Sequence, residues 1–398
     1  MNSTLTTTTV LIIGAGPAGL GVGAALKHAG LHDVLIIDAE CIGAAFRAWP
    51  KEMSLLTPSF NSNSFNLVDL NAIDPITSPA DFLNTQHPDG EKYADYLEAV
   101  SFYYKLDVQE KTRVISIEKE HGAFYAKTSQ GTIVADHIVW AAGQFFYPRE
   151  NDFPGAEHAI HSSRVGSWAE LEGENFTIIG GYESGVDAAL NLVSLGKKVT
   201  LMSRGEPWTS DHPDPSRSLS PRTLDRLRVI LRDPEKRSLL TLMKDTNIQC
   251  IEKNKGWWTL RDQDDIPFAS ETQPILANGF NGSLQVIDHL FAHDKGLPVF
   301  SEDADESTIT SDLFYAGPQL VHRNALFCFI YKFRARFGVI AAEIAMRSGL
   351  PDVEEKLLPY LKAGFMNTDL DCCTNCECAI TDERVTSPEP SAFAQKEA

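Results

Sequence analysis

Short apolar runs and alanine-rich stretches alternate along this chain, and they sort into strands and helices. Val10 to Ile13 is a continuous apolar run, the mark of a strand buried on both faces. It enters Gly14-Ala15-Gly16-Pro17-Ala18-Gly19, then an alanine-rich stretch with helical character that Gly30 stops. Val34 to Ile37 is a second apolar run ending at Asp38, so the opening reads as a βαβ unit. Trp49 to Pro88 is rich in Pro, Asn and Ser and predicts a long ordered loop region. Glu91 to Tyr104 predicts a helix, Val114–Glu118 and Ala123–Thr128 a hairpin, and His137–Ala141 a further core strand.

The same grammar then repeats. Phe176 to Ile179 meets Gly180-Gly181-Tyr182-Glu183-Ser184-Gly185, a helical run follows to Leu195, and Val199 to Met202 is the next strand. Gly14 and Gly180 stand about 165 residues apart, an internal duplication of architecture. Arg204 to Arg237 predicts a loop followed by a helix, and Phe314 to Gly317 a strand end. Leu326 to Ser348 predicts one strong helix, with Lys332, Arg334 and Arg336 on a solvated face or subunit contact. Trp257-Trp258 is expected in the core of the second half.

The fold class expected is α/β, with two Rossmann-like dinucleotide-binding domains of which the first is discontinuous. Its parts are residues 8–150 and 285–362, the second domain is 151–284, and 363–398 is a cysteine-rich and then disordered tail.

Composition narrows the function. The 398 residues are 43% hydrophobic and 22% charged, which suits two globular domains with filled cores. A net charge of -19 disfavours nucleic acid and a polybasic membrane surface as partners. Residues 1–9 lack the basic segment of a secretory signal, and Val10–Ile13 is far below spanning length, so the expected location is cytoplasmic, with no membrane partner.

Gly14, Gly16 and Gly19 form G-x-G-x-x-G between a strand and a helix. Such glycines make the tight turn, admit a pyrophosphate and allow close helix packing, and the helix N-terminus offers its free amides to the phosphates. Asp38, followed by Ala39, ends the next strand 19 residues after Gly19, where a carboxylate accepts ribose hydroxyls and disfavours a 2′-phosphate. This loop therefore suits FAD or NAD. In the second loop Tyr182 replaces the middle glycine, so its side chain pushes a pyrophosphate away or turns aside. Ser203-Arg204 follows the next strand in place of an acid. A hydroxyl and a guanidinium there hold a 2′-phosphate, which favours NADPH.

With Ile138-Val139-Trp140-Ala141-Ala142-Gly143 and Leu313-Phe314-Tyr315-Ala316-Gly317, the chain resembles the two-dinucleotide flavoproteins over roughly residues 8 to 350. That group, in the pyridine nucleotide-disulfide oxidoreductase superfamily, includes thioredoxin reductase, bacillithiol disulfide reductase and the flavin-containing monooxygenases. The likeness implies crossovers between the FAD and NADPH domains at Ala141-Ala142-Gly143 and Ala277-Asn278-Gly279. Gly180-Gly181-Tyr182-Glu183-Ser184 looks closest to bacillithiol disulfide reductase. Gly43 to Pro50 is similar to that enzyme and to the monooxygenases, which implies that Phe46, Trp49 and Ser59 lie near the flavin. Three departures stand out. Pro318 follows Gly317 where the family has an aspartate, leaving backbone groups or Gln319 to hold FAD. Neither a Cys-x-x-Cys pair nor a cysteine in the first glycine loop is present, since Ala18 stands there. The monooxygenase pattern F-x-G-x-x-x-H is missed, because His158 comes one place early and His161 two places late after Phe153-Pro154-Gly155.

Cys372, Cys373, Cys376 and Cys378 crowd into the tail. Thiolates at that density can bind Zn or Cu(I), or act as a redox relay exchanging disulfides with a partner; in mercuric ion reductase, a relative, a C-terminal cysteine pair visits the flavin of a neighbouring subunit, and an idle tail is the plain alternative. His322 lies where the family sets residues against the isoalloxazine and is a candidate proton donor. The expected function is an FAD-dependent oxidoreductase that takes a hydride from NADPH and reduces a small-molecule or protein disulfide, or a related soft electrophile. The alternatives are a flavin monooxygenase acting on sulfur or nitrogen, and a non-catalytic redox- or metal-sensing flavoprotein. The likeness allows a homodimer without fixing one.

Overall fold

The computed structural model describes residues 5–60, 68–212, 214–323 and 325–370. The tail cysteines 372, 373, 376 and 378 lie outside the described residues.

The strand Leu5–Ile13 stands inside a seven-stranded sheet, parallel to Val34–Ile37 on one side and Gly131–Trp140 on the other. It begins well before the apolar run because pairing, not burial, extends it: Leu5 is 64% exposed yet in register with Thr132. Gly131–Trp140 forks the sheet. Its first half pairs antiparallel with Ala123–Thr128, the inner strand of the hairpin with Val114–Glu120. Its last residues pair parallel with Leu313–Tyr315, matching Ile138, Val139 and Trp140 to Leu313, Phe314 and Tyr315. A segment from late in the chain thus completes the first sheet, which makes that unit discontinuous, as expected.

A second, five-stranded sheet is parallel throughout. Its spatial order is Leu240–Met243, Lys198–Met202, Asn175–Ile179, Ile275–Leu276 and Ile160–His161. A three-stranded antiparallel sheet, Ile248–Lys253, Trp258–Asp262 and Pro267–Ser270, packs a small cluster with Ile179, Met202 and Leu276 of the parallel strands. Parallel neighbours need covering helices. Pro17–Ala29 and Phe337–Arg347 supply them for the first sheet, Glu183–Ser194 for the second. Gly21 lets the first two helices meet, since a Cβ there would strike the ring of the fully buried Phe337.

Three local expectations change. The single helix over 326–348 is broken: Ala325–Leu326 is a strand end, Ile330–Phe333 a short helix, Arg334–Arg336 a tightened turn, and Phe337–Arg347 the long helix. Nor is there a solvated cationic face. Arg334 is 6% exposed and donates to the Asp69 and Ala72 carbonyls, and Arg336 is 1% exposed and paired with Asp305. Buried guanidinium groups need such partners, and the tightened turn delivers them. Finally, Trp257 is 43% exposed at a turn, while Trp258 packs against the antiparallel sheet's cluster.

Candidate functional site

The first glycine loop is built by close backbone approach. Gly14 sits at φ +113, and a Cβ there would run into the Ala141 carbonyl. Gly19 packs flat on the Gly14 carbonyl, so the helix starts hard against the strand. At Gly16, the N-cap of Pro17–Ala29, a Cβ would meet nothing within 4 Å. That missing side chain opens onto a cavity of about 860 Å³. The helix has no side-chain cap and no acid in its first turn, so its first amides and dipole face the cavity uncontested.

Asp38 closes the other side of this cradle. Its Oδ2 accepts from the Ala15 amide at 2.9 Å and its Oδ1 from the Glu40 amide at 2.8 Å. Burial pushes its carboxyl above the usual aspartate range, against the pull of those two amides. Thr112 donates its amide to the Asp38 carbonyl at 2.7 Å, bringing Arg113 to the cavity wall. An open glycine, an uncontested helix N-terminus and a half-buried carboxylate with remaining lone pairs offer donors and an acceptor that fit the pyrophosphate and ribose of FAD.

The structure brings many of the residues named from sequence to this one cavity. Gly14, Gly16, Pro17, Ala18, Asp38 and Ala39 form one wall, and Phe46, Trp49, Gly143 and Pro318 lie further along. Glu183 and Ser184 of the second glycine loop line it as well. Gly19 supports the loop from behind. Gly180, Gly279 and Gly317 do not line the cavity; Gly279 sits behind it, its carbonyl held by His161 Nε2–H at 3.0 Å.

Other expectations are corrected. Gln319 faces away, its side-chain amide on the Asn281 carbonyl, filling the space left by Gly282. His322 does not reach the cavity; it is 4% exposed, with Nε2 2.5 Å from Asp305 Oδ1. A buried carboxylate needs that partner, so the geometry gives His322 a packing role in place of proton donation. Ser59 is buried against Asn71 at 2.9 Å, away from the cavity wall.

The second loop repeats the first in backbone. Gly180 sits at φ +111 against the Ala277 carbonyl, and Gly185 packs on the Gly180 carbonyl. Tyr182, at the position of Gly16, has φ -93 and ψ -166 against -88 and -172. Its phenol donates to the Ser218 carbonyl at 2.9 Å. Ser203 is buried beside Gly181, and Arg204 is exposed with no ion pair among the described residues. Tyr182, Ser203 and Arg204 do not line the large cavity.

Sequence reasoning missed the wall that comes from loops. Tyr147, Ser163, Arg164 and Phe280 line the cavity. Ser163 Oγ is 2.8 Å from Nδ1 of His161, whose imidazole burial pushes below its usual pKa. The only signal was His161 itself, in a near-miss of a motif. Cys328 also lines the cavity, its Sγ 3.2 Å from Ser216 Oγ, and the surrounding protein pushes its thiol up.

Comparisons with known proteins agree with this layout. Residues 11–317 match the family model described as pyridine nucleotide-disulphide oxidoreductase. Bacilliredoxin reductase Bdr of Bacillus subtilis is 24% identical over 342 residues, 85% of this chain and 97% of that protein. The bacillithiol disulfide reductase Bdr from Staphylococcus aureus superposes with a TM-score of 0.70 at 20% identity, covering 86% of this chain and 99% of that one. A flavin-containing monooxygenase from Stenotrophomonas maltophilia gives 0.67 at 18% identity, over 86% and 99% of the two chains. The doubled cradle, the forked sheet and the matched span together place this chain in the pyridine nucleotide-disulphide oxidoreductase family, as a flavin-dependent oxidoreductase.

Proposed function

We propose that the protein carries FAD in the large cavity, is reduced by NADPH bound at the second glycine loop, and passes the electron pair to a disulfide or related soft electrophile. The observation that carries this reading is a single cavity lined by both loops, by Gly16 of the first and by Glu183 and Ser184 of the second. Residues 8–150 and 285–362 would form the FAD domain and 151–284 the NADPH domain.

FAD, when bound, supplies the two-electron chemistry. The chain's own residues bind and orient. The amides that follow Gly16 hold the pyrophosphate, and Asp38 takes the ribose hydroxyls. Phe46 and Trp49, whose ring centroids lie 4.8 Å apart, give the cavity an apolar wall that excludes water. Arg204 is free to meet a 2′-phosphate, and the adjacent Ser203 adds a hydroxyl. The disulfide acceptor is supported by the likeness to the bacilliredoxin and bacillithiol reductases and is the same soft chemistry the tail cysteines 372, 373, 376 and 378 could relay.

The test is anaerobic titration of the purified yellow protein with NADPH, then a screen of disulfides as oxidants. Bleaching by NADPH and recovery on adding a disulfide support the reading. It falls if no disulfide reoxidises the flavin while oxygen does so only with oxygenation of an amine or thioether. Serine at all four tail cysteines separates a relay from direct transfer: unchanged turnover ends the relay.

A further inference from the structure

The two glycine loops share a backbone course but part where Tyr182 takes the place of Gly16. At Gly16 the backbone faces open cavity; at Tyr182 the same backbone conformation carries a phenol. Because the two backbones agree, the Tyr182 side chain leaves its Cα in the direction in which Gly16 is open, and its hydroxyl is spent on the Ser218 carbonyl. The neighbouring residue repeats the contact. Glu183 accepts from the Ser220 amide and, at 2.6 Å, from Thr223 Oγ1. Two adjacent residues of the loop therefore grip residues 214–220 and the first turn of the helix Pro221–Arg232 that follows.

The same segment is held from the other side. Lys332 Nζ lies 2.6 Å from both Asp214 Oδ1 and Ser216 Oγ, and Cys328 Sγ 3.2 Å from that Ser216 hydroxyl. Further along the loop Trp208 and Ser203 lie over Gly181, in space that a Cβ there would take. Of the second loop only Glu183 and Ser184 remain on the large cavity, whereas the first loop lines it with Gly14, Gly16, Pro17 and Ala18. The contrast lies in side chains, because the two backbones agree.

Resting on the NADPH reading above, we infer that Tyr182 is the latch of the nicotinamide-nucleotide site: its bond to Ser218 keeps residues 214–220 across the second loop, and the pyrophosphate binds only after that bond breaks and the ring swings out. Opening then precedes binding, so nucleotide affinity is reduced by the fraction of molecules that are open.

The FAD-loaded protein is mixed with NADP+ in a stopped-flow instrument, and the shift of the flavin absorption is followed. Wild type should show an association rate that saturates with NADP+ concentration. Tyr182→Phe, which removes only the hydroxyl, should raise the saturating rate several-fold, as one neutral hydrogen bond warrants. Tyr182→Gly should also tighten equilibrium binding. Retained flavin absorption reports that each variant has folded. Weaker NADP+ binding by Y182G, with NADPH reduction still observed, overturns the latch alone, because the ring would then be a nucleotide contact. An unchanged rate in Y182F also overturns the latch. If neither wild type nor Y182G binds NADP+ or is bleached by NADPH, the NADPH reading falls and the latch with it.

Discussion

Arg336 and Asp305 are paired where neither touches solvent: their side chains are 1% and 0% exposed, and Arg336 Nε lies 3.1 and 3.0 Å from the two carboxylate oxygens. The guanidinium also donates to the Asn367 and Glu302 carbonyls at 2.6 Å each. His322 completes the cluster. Removing one partner strands the other in a dry interior. Asp305→Ala should cost about 3–5 kcal/mol in urea unfolding. Replacing Asp305 and Arg336 together with apolar residues should cost less than either change alone; an additive loss would sink this account.

Gly16 and Gly19 should fail differently. Gly16→Ala puts a methyl into open cavity at an ordinary φ of -88, so the apoprotein should keep its stability within about 0.5 kcal/mol. Its flavin affinity should fall at least about tenfold, or roughly 1.4 kcal/mol. Gly19→Ala drives a methyl into the Gly14 carbonyl and should lower the melting temperature without any flavin present. The ratio of flavin to protein absorption, set beside apoprotein melting, checks both. Full flavin content in G16A would contradict the cradle.

Asp38 makes flavin retention pH-dependent. Burial raises its carboxyl above the ordinary 3.8. A raised carboxyl favours the protonated folded state, so its contribution to apoprotein stability is present below that ordinary value and is lost as pH rises through the raised one. Flavin binding runs the other way, since the ionised carboxylate accepts the ribose hydroxyls. Acidification through the raised value should release FAD, and Asp38→Asn should flatten that dependence. Dialysis at stepped pH, with free flavin measured by fluorescence, decides it.

Glu52 is the opposite case. Burial works to raise its carboxyl, but the Ser167 hydroxyl at 2.6 Å and the amides of Trp168 and Ala169 together hold it below 4.5. Its stabilisation is therefore present above 4.5 and lost as pH falls through the lower folded value. Glu52→Gln should cost about 1–2 kcal/mol at neutral pH. The gap from wild type should close on acidification, as read by melting temperature across pH.

Arg204 is expected to choose between nucleotides. Arg204→Ala should raise the KM for NADPH roughly tenfold to a hundredfold, the worth of a charge-assisted bond, and leave that for NADH nearly unchanged. Equal effects on the two would remove Arg204 from 2′-phosphate recognition.

Much of the fold was legible because glycine and apolar runs act locally. Val10–Ile13 with Gly14, Gly16 and Gly19, and Phe176–Ile179 with Gly180 and Gly185, announce both βαβ units, since only a residue without a Cβ fits beneath the Ala141 and Ala277 carbonyls. Asp38 was legible as the residue after one strand, and Ser203-Arg204 as the pair after another. His322, Arg334 and Arg336 were misread because their roles depend on a carboxylate, Asp305, and on carbonyls far along the chain. The spacing of cations on a helix says nothing of what lies opposite.

By itself the sequence determined two strand–glycine turn–helix units, the acid that follows one and the serine and arginine that follow the other, because strand, turn and helix are set by residues a few places apart. Only the tertiary structure decided that Tyr182 reaches Ser218, that loop residues such as Tyr147 and Phe280 wall the cavity, and that Arg336 meets Asp305 out of water. Those outcomes depend on which distant segments share one low-dielectric space, where an unpaired polar group is too costly to leave unmatched.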